Sequence, residues 1–392
     1  MRPRPLCWRN RRPVAPSGAF RGGYNGVTIA KLVTPVVQPT ATGPAVIHFF
    51  PTYTKDGTRS PFALGLQELG VEYRLFADDV RFRYHSRLKL LLVGWPKLAW
   101  FALRAGIRSL ITSRTHPEAV VLGSDIEVLI FAPLRALFSR RTQIVLLGFI
   151  LTPRKHPLQN RLRLLYFRFV MRFVDKVICH SKKERERYRE LFSNGRTEVF
   201  YIPHGTHIYG REELPEASNS PYILTAGRSG RDYGTLFEAM AGLPVDLHVV
   251  CDNDKPLAGL AIPPNVKVLR NCYDGDYVEQ LKNARFVVVP LGVADISAGQ
   301  MVLLQAMAFN KATVITRTLT VEDYVSDGNE ALLVPQGDAG AMRSAIARLL
   351  DDVPYTAQMA DRALDAFDSR FDMKAFVRNL VAAVRAPRAT GA

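Results

Sequence analysis

The chain has 392 residues, 47% of them hydrophobic and 22% charged, with a formal net charge of +16. That length exceeds one ordinary core and suits two domains of roughly 150 to 200 residues, and the apolar share excludes a disordered chain. The charge is lopsided: from Arg211 onward 18 Lys and Arg face 23 Asp and Glu, whereas the part before it holds 34 against 13. Such an asymmetry speaks of partners rather than of fold.

The first 26 residues are rich in Arg, Pro and Gly and contain no acid. They lack the apolar core of a signal peptide. Residues 1–43 therefore read as a basic, disordered extension, or as a start placed too far upstream. The four cysteines, Cys7, Cys179, Cys251 and Cys272, form no C-x-x-C pair and no metal spacing with His. Reduced core thiols and a cytoplasmic setting follow.

Ordered structure is expected to begin with a short strand in "PAVIHFFPTY". Ser60-Pro61 then opens a helix with apolar residues at helical spacing, Gly70 stops it, and a second strand follows. The stretch "LLLVGWPKLAWFALRAGI" is the most membrane-like, but Pro96, Lys97 and Arg104 interrupt it, so it is expected to fall short of a span. "AVVLGSD", "TQIVLLGF" and "DKVICHS" are three further strands, separated by helical periodicity. The pattern then restarts, with strands in "SPYILTAG", "DLHVVCD", "NVKVLRN", "RFVVVPL" and "ALLVPQGD". Strands alternating with helices indicate an α/β chain with parallel sheets covered on both faces. The polar, Pro- and Gly-containing segment "HGTHIYGREELPEASNSP" marks the boundary. This gives a first domain over 44–208, a second over 209–370, and a last helix and tail over 371–392.

Ligands of such sheets sit at the carboxyl ends of strands. Two turns there are built for an anion. In "AGRSGRDYG", Gly227 and Gly230 permit close backbone approach, the following helix start offers free N–H groups, and Arg228 and Arg231 add forks for phosphate oxygens. The spacing is not G-x-G-x-x-G, and alone the segment reads equally well as a surface turn. In "SAGQMVLLQAM", Ser297 and Gly299 shape the turn, the amides near Gln300, Met301 and Val302 point outward, and Leu303, Leu304, Met307 and Ala308 form the apolar stripe beneath. Two such starts at neighbouring strand ends point to a diphosphate between them.

"GRSGRDYGTLFEAM", "NVKVLRNCYDGDYVEQLKNARFVVVPL", "SAGQMVLLQAMAFNKATVITRT" and "VSDGNEALLVPQGDAGAMRSAIARLLDD" together resemble the donor domain of GT-B glycosyltransferases, family 4 in particular. "DKVICHS" and "VFYIPHGTH" resemble the approach to that domain, and "FDMKAFVRNLVAAV" the helix that crosses back to the first one. The resemblance covers residues 175–385 and extends to the first domain by architecture. It implies two Rossmann-like βα domains facing a cleft, a nucleotide-diphosphate sugar donor, and no metal or other cofactor. Retention is favoured over inversion only because it asks less of a base, and the stereochemistry stays open. Arg228 matches the family's phosphate arginine, whereas the lysine position reads Tyr233. The paired glutamates, eight residues apart, fall on Ser297 and Gln305. Gln305 can still meet ribose hydroxyls, since an amide accepts hydrogen bonds, but Ser297 cannot place a charge by the donor sugar. Asn271 to Tyr273, with Cys272 between them, edge the base. "CDND" (Asp252, Asp254) and "YDGD" (Asp274, Asp276) have the D-x-D form that holds a metal in another glycosyltransferase fold. Here they read as a strand-end turn and a helix cap.

A base for the acceptor would come from the first domain. Asp125 in "VLGSDIEV" is the best-placed carboxylate, with a helix cap as the plain alternative; Asp56 and Arg59, and the "GFILTPRK" turn, are further candidates. The family's usual histidine is not evident. Residues 80–117 hold eight Lys or Arg and residues 128–174 hold nine, with no acid in either stretch and with aromatic and leucine residues interleaved. That is the look of interfacial helices, and no nucleic-acid module accompanies it. The expected protein is a transferase at the inner face of the cytoplasmic membrane, acting on a lipid-linked saccharide of a bacterial surface polysaccharide. The alternatives are an epimerase of the same fold and a degenerate, membrane-associated partner.

Overall fold

The computed structural model describes residues 46–387 apart from 53–57, 59, 79–86, 112–115, 152–155, 193–195, 209–210, 212–219, 228, 253–254, 273 and 293–297. The expectation for residues 1–43 lies outside this range.

The first sheet is β1 (Ile47–Phe49), β2 (Tyr73–Leu75), β3 (Ala119–Leu122), β4 (Gln143–Leu147), β5 (Lys176–Cys179) and β6 (Glu198–Tyr201), all parallel in the order β2-β1-β3-β4-β5-β6. Its helices are α1 (Pro61–Glu68), α2 (Arg87–Lys89), α3 (Trp95–Ile111), α4 (Asp125–Phe138), α5 (Pro157–Met171) and α6 (Lys182–Leu191). β1, β3 and β5 are buried along their whole length, as continuous apolar runs covered on both faces should be. The Ser60-Pro61 start holds: Ser60 Oγ accepts the Ala63 amide at 3.2 Å, and Gly70 turns left-handed at φ 62 to end the helix.

The second sheet is β7 (Tyr222–Ala226), β8 (Asp246–Val250), β9 (Val266–Leu269), β10 (Val287–Val289), β11 (Thr313–Thr316) and β12 (Leu332–Val334), again parallel, in the order β12-β11-β10-β7-β8-β9. α7 (Tyr233–Met240), α8 (Asp274–Lys282), α9 (Gln300–Ala308), α10 (Ala339–Asp351) and α11 (Val353–Ala366) cover it. The order changes direction between β7 and β10, and their carboxyl ends lead into the two glycine turns.

α12 (Met373–Arg385) leaves the second domain and packs into the first. Phe376, Val377, Leu380 and Val384 join the core made by Ile47, Leu66, Val121 and Ile178. Gly65 of α1 lies under it: a Cβ there would stand 3.3 Å from Val377. The buried Lys176 Nζ donates to the carbonyls of Ala383, Val384 and Ala386 at 3.0, 2.7 and 2.6 Å, closing the end of α12.

One expectation changes. Leu90–Ile111 forms 22 helical residues, and an 18-residue window of it has a mean hydropathy of 1.3, long and apolar enough by length and composition alone to cross a membrane. Pro96 does not break it, because the wider π-turn Leu90–Gly94 precedes it and relieves the clash a proline makes with the turn before it. One face, with Leu98, Phe101, Ala105 and Leu110, is buried with Val128, Phe131 and Ala132 of α4 in a single cluster. Leu91, Leu92, Trp95, Trp100 and Ile111 are exposed.

Candidate functional site

A cavity of about 1280 Å³ opens where the carboxyl ends of both sheets meet. Its second-domain wall is the two glycine turns. After β7, Gly227 adopts φ 110 and Gly230 φ 66. Glycine is required at 227 for its conformation, and a Cβ there, 2.4 Å from Arg231 Nη2, would also push the guanidinium out of its place. Arg231 was expected to reach for phosphate. Its side chain instead folds back, Nε donating to the Ala226 carbonyl at 2.8 Å and Nη1 to Ser229 at 3.1 Å. The guanidinium braces the turn and keeps one edge on the cavity that it lines. Tyr233 is buried and donates to the Gly227 carbonyl at 2.5 Å, so it too holds the turn. Asp232 caps α7 through the Thr235 amide.

Gly299 precedes α9 at φ 85, and a Cβ there would stand 3.1 Å from Leu291 and 3.2 Å from Val289. It brings no side-chain cap. The amides of Gln300, Met301 and Val302 therefore lie in the helix's first turn, ahead of any intrahelical acceptor, and all three residues line the cavity. The apolar stripe beneath is as expected: Leu303, Leu304, Met307 and Ala308 are fully buried. The Gln300 side chain is buried with Nε2 unpartnered among the described residues.

A second cavity of about 320 Å³ adjoins, sharing Gly227 and Val302 and lined also by Cys272, Tyr277 and Gln305. It brings Cys272 and Gln305 together beside the glycine turns. The Tyr277 hydroxyl donates to Gln305 Oε1 at 2.9 Å, which turns the amide NH2 of Gln305 outward as a donor. Arg228 and Ser297 lie outside the described residues, as do Asp56, Arg59, Asp254 and residues 152–155. Asp274 opens α8, as expected.

The wall opposite is largely apolar, with Phe49, Phe50, Phe62, Leu147 and Ile150 of the first domain and Phe376 of α12, and with Thr52 among its polar members. Asp125 is not among the described residues that line it. Asp125 begins α4 and accepts the Tyr166 hydroxyl at 2.7 Å, while Ser124 caps the helix. Glu127, fully buried, accepts from the Gly123 amide at 3.0 Å and the Ser124 hydroxyl at 2.9 Å, and burial pushes its pKa up to about 7.

Two histidines that were not singled out in the sequence do line the cavity. His180 follows β5 and His204 follows β6. His180 Nδ1 is 2.9 Å from the Ile202 carbonyl, which makes it the protonated nitrogen and leaves Nε2 with a lone pair near Gly148. Burial lowers both pKa values, that of His180 to about 4, so both rings are neutral at pH 7. The available signal was a histidine just past the carboxyl end of a strand, immediately after it in "VICHS" and three residues beyond it in "YIPHG".

Residues 220–352 match the family model described as glycosyl transferases group 1. The fold resembles sucrose-phosphate synthase from Thermosynechococcus elongatus at a TM-score of 0.65 and 18% identity, covering 87% of this chain and 98% of that one. It also resembles Anabaena HepE in complex with UDP and glucose, at 0.56 and 15%, covering 88% and 100%. A third resemblance is to the lipopolysaccharide outer core galactosyltransferase WaaB, at 0.53 and 14%, covering 86% and 99%. No curated protein sequence matches the chain.

Proposed function

We propose that this chain, a GT-B fold whose residues 220–352 are a glycosyl transferases group 1 domain, moves a sugar from a nucleotide-diphosphate donor to a lipid-linked saccharide acceptor. The observation that carries the reading is that the Gly227 and Gly299 turns line one cavity with a nucleoside-sized chamber beside them. The amides of Gln300 and Met301, with Arg228 and the free edge of Arg231, hold the diphosphate without metal. Cys272 and Gln305 hold the nucleoside, and Ser297 neighbours the sugar. The second domain, 209–370, is the donor domain; 44–208 receives the acceptor, with 371–392 closing onto it.

Two features favour a lipid-linked acceptor of a bacterial surface polysaccharide. The first-domain wall of the cleft is largely apolar, which suits an acceptor with a hydrocarbon portion. The first domain also exposes Leu91, Leu92 and Trp100 near α3, and Leu158, Leu162, Leu165 and Phe169 on α5, within stretches that carry lysine and arginine and no acid. Such a surface docks on the inner leaflet of the cytoplasmic membrane. His180 Nε2, on the first-domain wall, is an acceptor for a sugar hydroxyl; Asp125, held by Tyr166 outside the described lining, is the candidate base for an acceptor hydroxyl presented at the start of α4. Retention of configuration, which asks less of a base than inversion, fits a cleft without a described carboxylate on its wall.

A cleft whose described residues bring no carboxylate to its wall also favours a second reading, a donor-binding partner protein with little turnover. Binding comes first in either case. In EDTA, a nucleoside diphosphate should raise the melting temperature, and Arg228→Ala should weaken its binding at least tenfold, as the loss of a charge-assisted contact worth about 1.5–3 kcal/mol implies. No stabilisation by any nucleoside diphosphate would sink both readings, whereas binding with no sugar transfer to any lipid acceptor would leave only the second.

A further inference from the structure

At the end of the first sheet away from the cleft, four arginines line a cavity of about 300 Å³: Arg135, Arg140, Arg172 and Arg196. α4 and α5 end there and β5 and β6 begin there, because each helix runs back against its strands. The cavity is thus separated from the cleft by the length of the sheet: Asp175 precedes β5 on this side and His180 follows it on the other. No carboxylate lines the cavity among the described residues. Asp175, fully buried as a side chain, is already engaged by Arg135 Nη1 at 2.7 Å, by the Ile144 amide at 2.8 Å and by Arg196 Nε at 3.7 Å.

A cation at a helix carboxyl end is ordinary, since it complements the macrodipole. That accounts for Arg140, whose Nε meets the Ala136 carbonyl of α4, and for Arg172 after α5. Arg135 and Arg196 are held there by Asp175, which pairs with both, and Arg135 Nη1 also donates to the Phe173 carbonyl at 3.3 Å, so that among the described residues one carboxylate serves a cavity lined by four guanidiniums. Like charges in a concave site repel unless an anion fills it. The planar fork of arginine fits phosphate oxygens two at a time.

We propose that this cavity is a phosphate-binding site separate from the cleft, taking a phosphate monoester or diester, either free or as the headgroup of an anionic lipid. The rim favours neither source over the other by charge, but it is partly apolar. Leu137 is 78% exposed and Phe138 47% at the end of α4. Phe169, also exposed, packs edge-on against Phe173 of the cavity wall at 5.3 Å.

The test uses Arg140→Ser/Arg172→Ser, which removes two exposed guanidiniums and leaves the buried Arg135–Asp175 pair intact. Inorganic phosphate and glycerol phosphate are titrated by calorimetry against chloride at matched ionic strength. Sedimentation is measured with phosphatidylcholine vesicles carrying phosphatidic acid, and UDP binding reads the cleft separately. The double variant should lose at least tenfold in affinity for the soluble phosphates, which assigns a free phosphate, or at least tenfold in partition to the vesicles alone, which assigns a lipid headgroup. UDP affinity should not change. Equal binding by both proteins in every arm, or a wild-type response that chloride reproduces, overturns the site.

Discussion

The imidazoles of His180 and His204 lie nearly parallel, 4.7 Å between centres and 11° apart, on the floor of the cleft. Tyr324 of the second domain fastens the pair, its hydroxyl accepting the His204 amide at 2.9 Å and donating to the His180 carbonyl at 2.9 Å. Stacking of this kind suits two neutral rings. The folded His180 pKa of about 4 lies below its ordinary 6.5, so above pH 6.5 both folded and unfolded states are neutral and the stability is fully present. As pH falls from 6.5 towards 4 the unfolded chain takes a proton that the folded chain refuses, and stability is lost over that window, by about 3 kcal/mol at most. His180→Gln should flatten the slope of unfolding free energy between pH 6.5 and 4. An unchanged slope would show that the ring titrates freely.

Glu127 works in the opposite direction. Its folded pKa of about 7 exceeds the ordinary carboxylate value of 4.5, so its contribution is intact below pH 4.5 and lost as pH rises to 7. Glu127→Gln keeps an oxygen for the Gly123 amide and Ser124 hydroxyl without the buried charge. The variant should match the wild type near pH 4.5 and exceed it at pH 8 by on the order of 2 kcal/mol. Urea titrations at the two pH values decide it; a variant less stable at pH 8 would mean the carboxylate is needed charged.

Gly299→Ala tests the anion turn. A left-handed alanine costs about 1–2 kcal/mol, and its methyl would press on Leu291 and Val289. Gly337→Ala is the control, because Gly337 has φ 71 and open space around its missing Cβ. Both should lower the melting temperature, but only Gly299→Ala should weaken nucleoside diphosphate binding, by at least tenfold in calorimetry. Equal affinities in the two variants would remove the α9 start from the donor site.

Membrane docking should show both a charge and an apolar part. Each Lys or Arg near an anionic leaflet contributes about 1 kcal/mol, which salt screens, whereas inserted leucine and tryptophan are unscreened. The protein should sediment with anionic but not neutral liposomes. Replacing Arg81, Arg83, Arg87 and Lys89 by Ser should abolish most of this, and Leu92→Ser/Trp100→Ser should reduce what survives at high salt. Equal binding to neutral vesicles would refute the electrostatic part, and tighter binding to DNA at the same salt would replace the membrane as the partner.

What the sequence revealed follows from range. The Ser60-Pro61 helix start, the strand runs and the two glycine turns depend on neighbours a few residues away, and periodicity exposes them. Arg231 folding back on Ala226 was hidden, because a turn's charged side chain reads the same whether it faces solvent or its own carbonyls. The histidine pair was hidden for another reason: 24 positions separate His180 from His204, and only the parallel pairing of β5 with β6 stacks them. Pro96 misled because the compensating π-turn has no residue signature of its own.

The chain passes between the two sheets twice, and both passages meet at one point, where Thr206 forms an isolated bridge with Asp372. Beside them Gly205 lies so close to Phe376 that a Cβ would overlap it at 2.2 Å, and Lys176 ties down the far end of α12. Two adjacent backbones and a clamped helix thus join the sheets here, and Asp323 and Tyr324 of the second domain add contacts to Lys182 and His180 of the first. The absent side chain at 205 is therefore what seats α12: any larger residue there would have to displace Phe376 and, with it, the start of the helix that ties the second sheet to the first core.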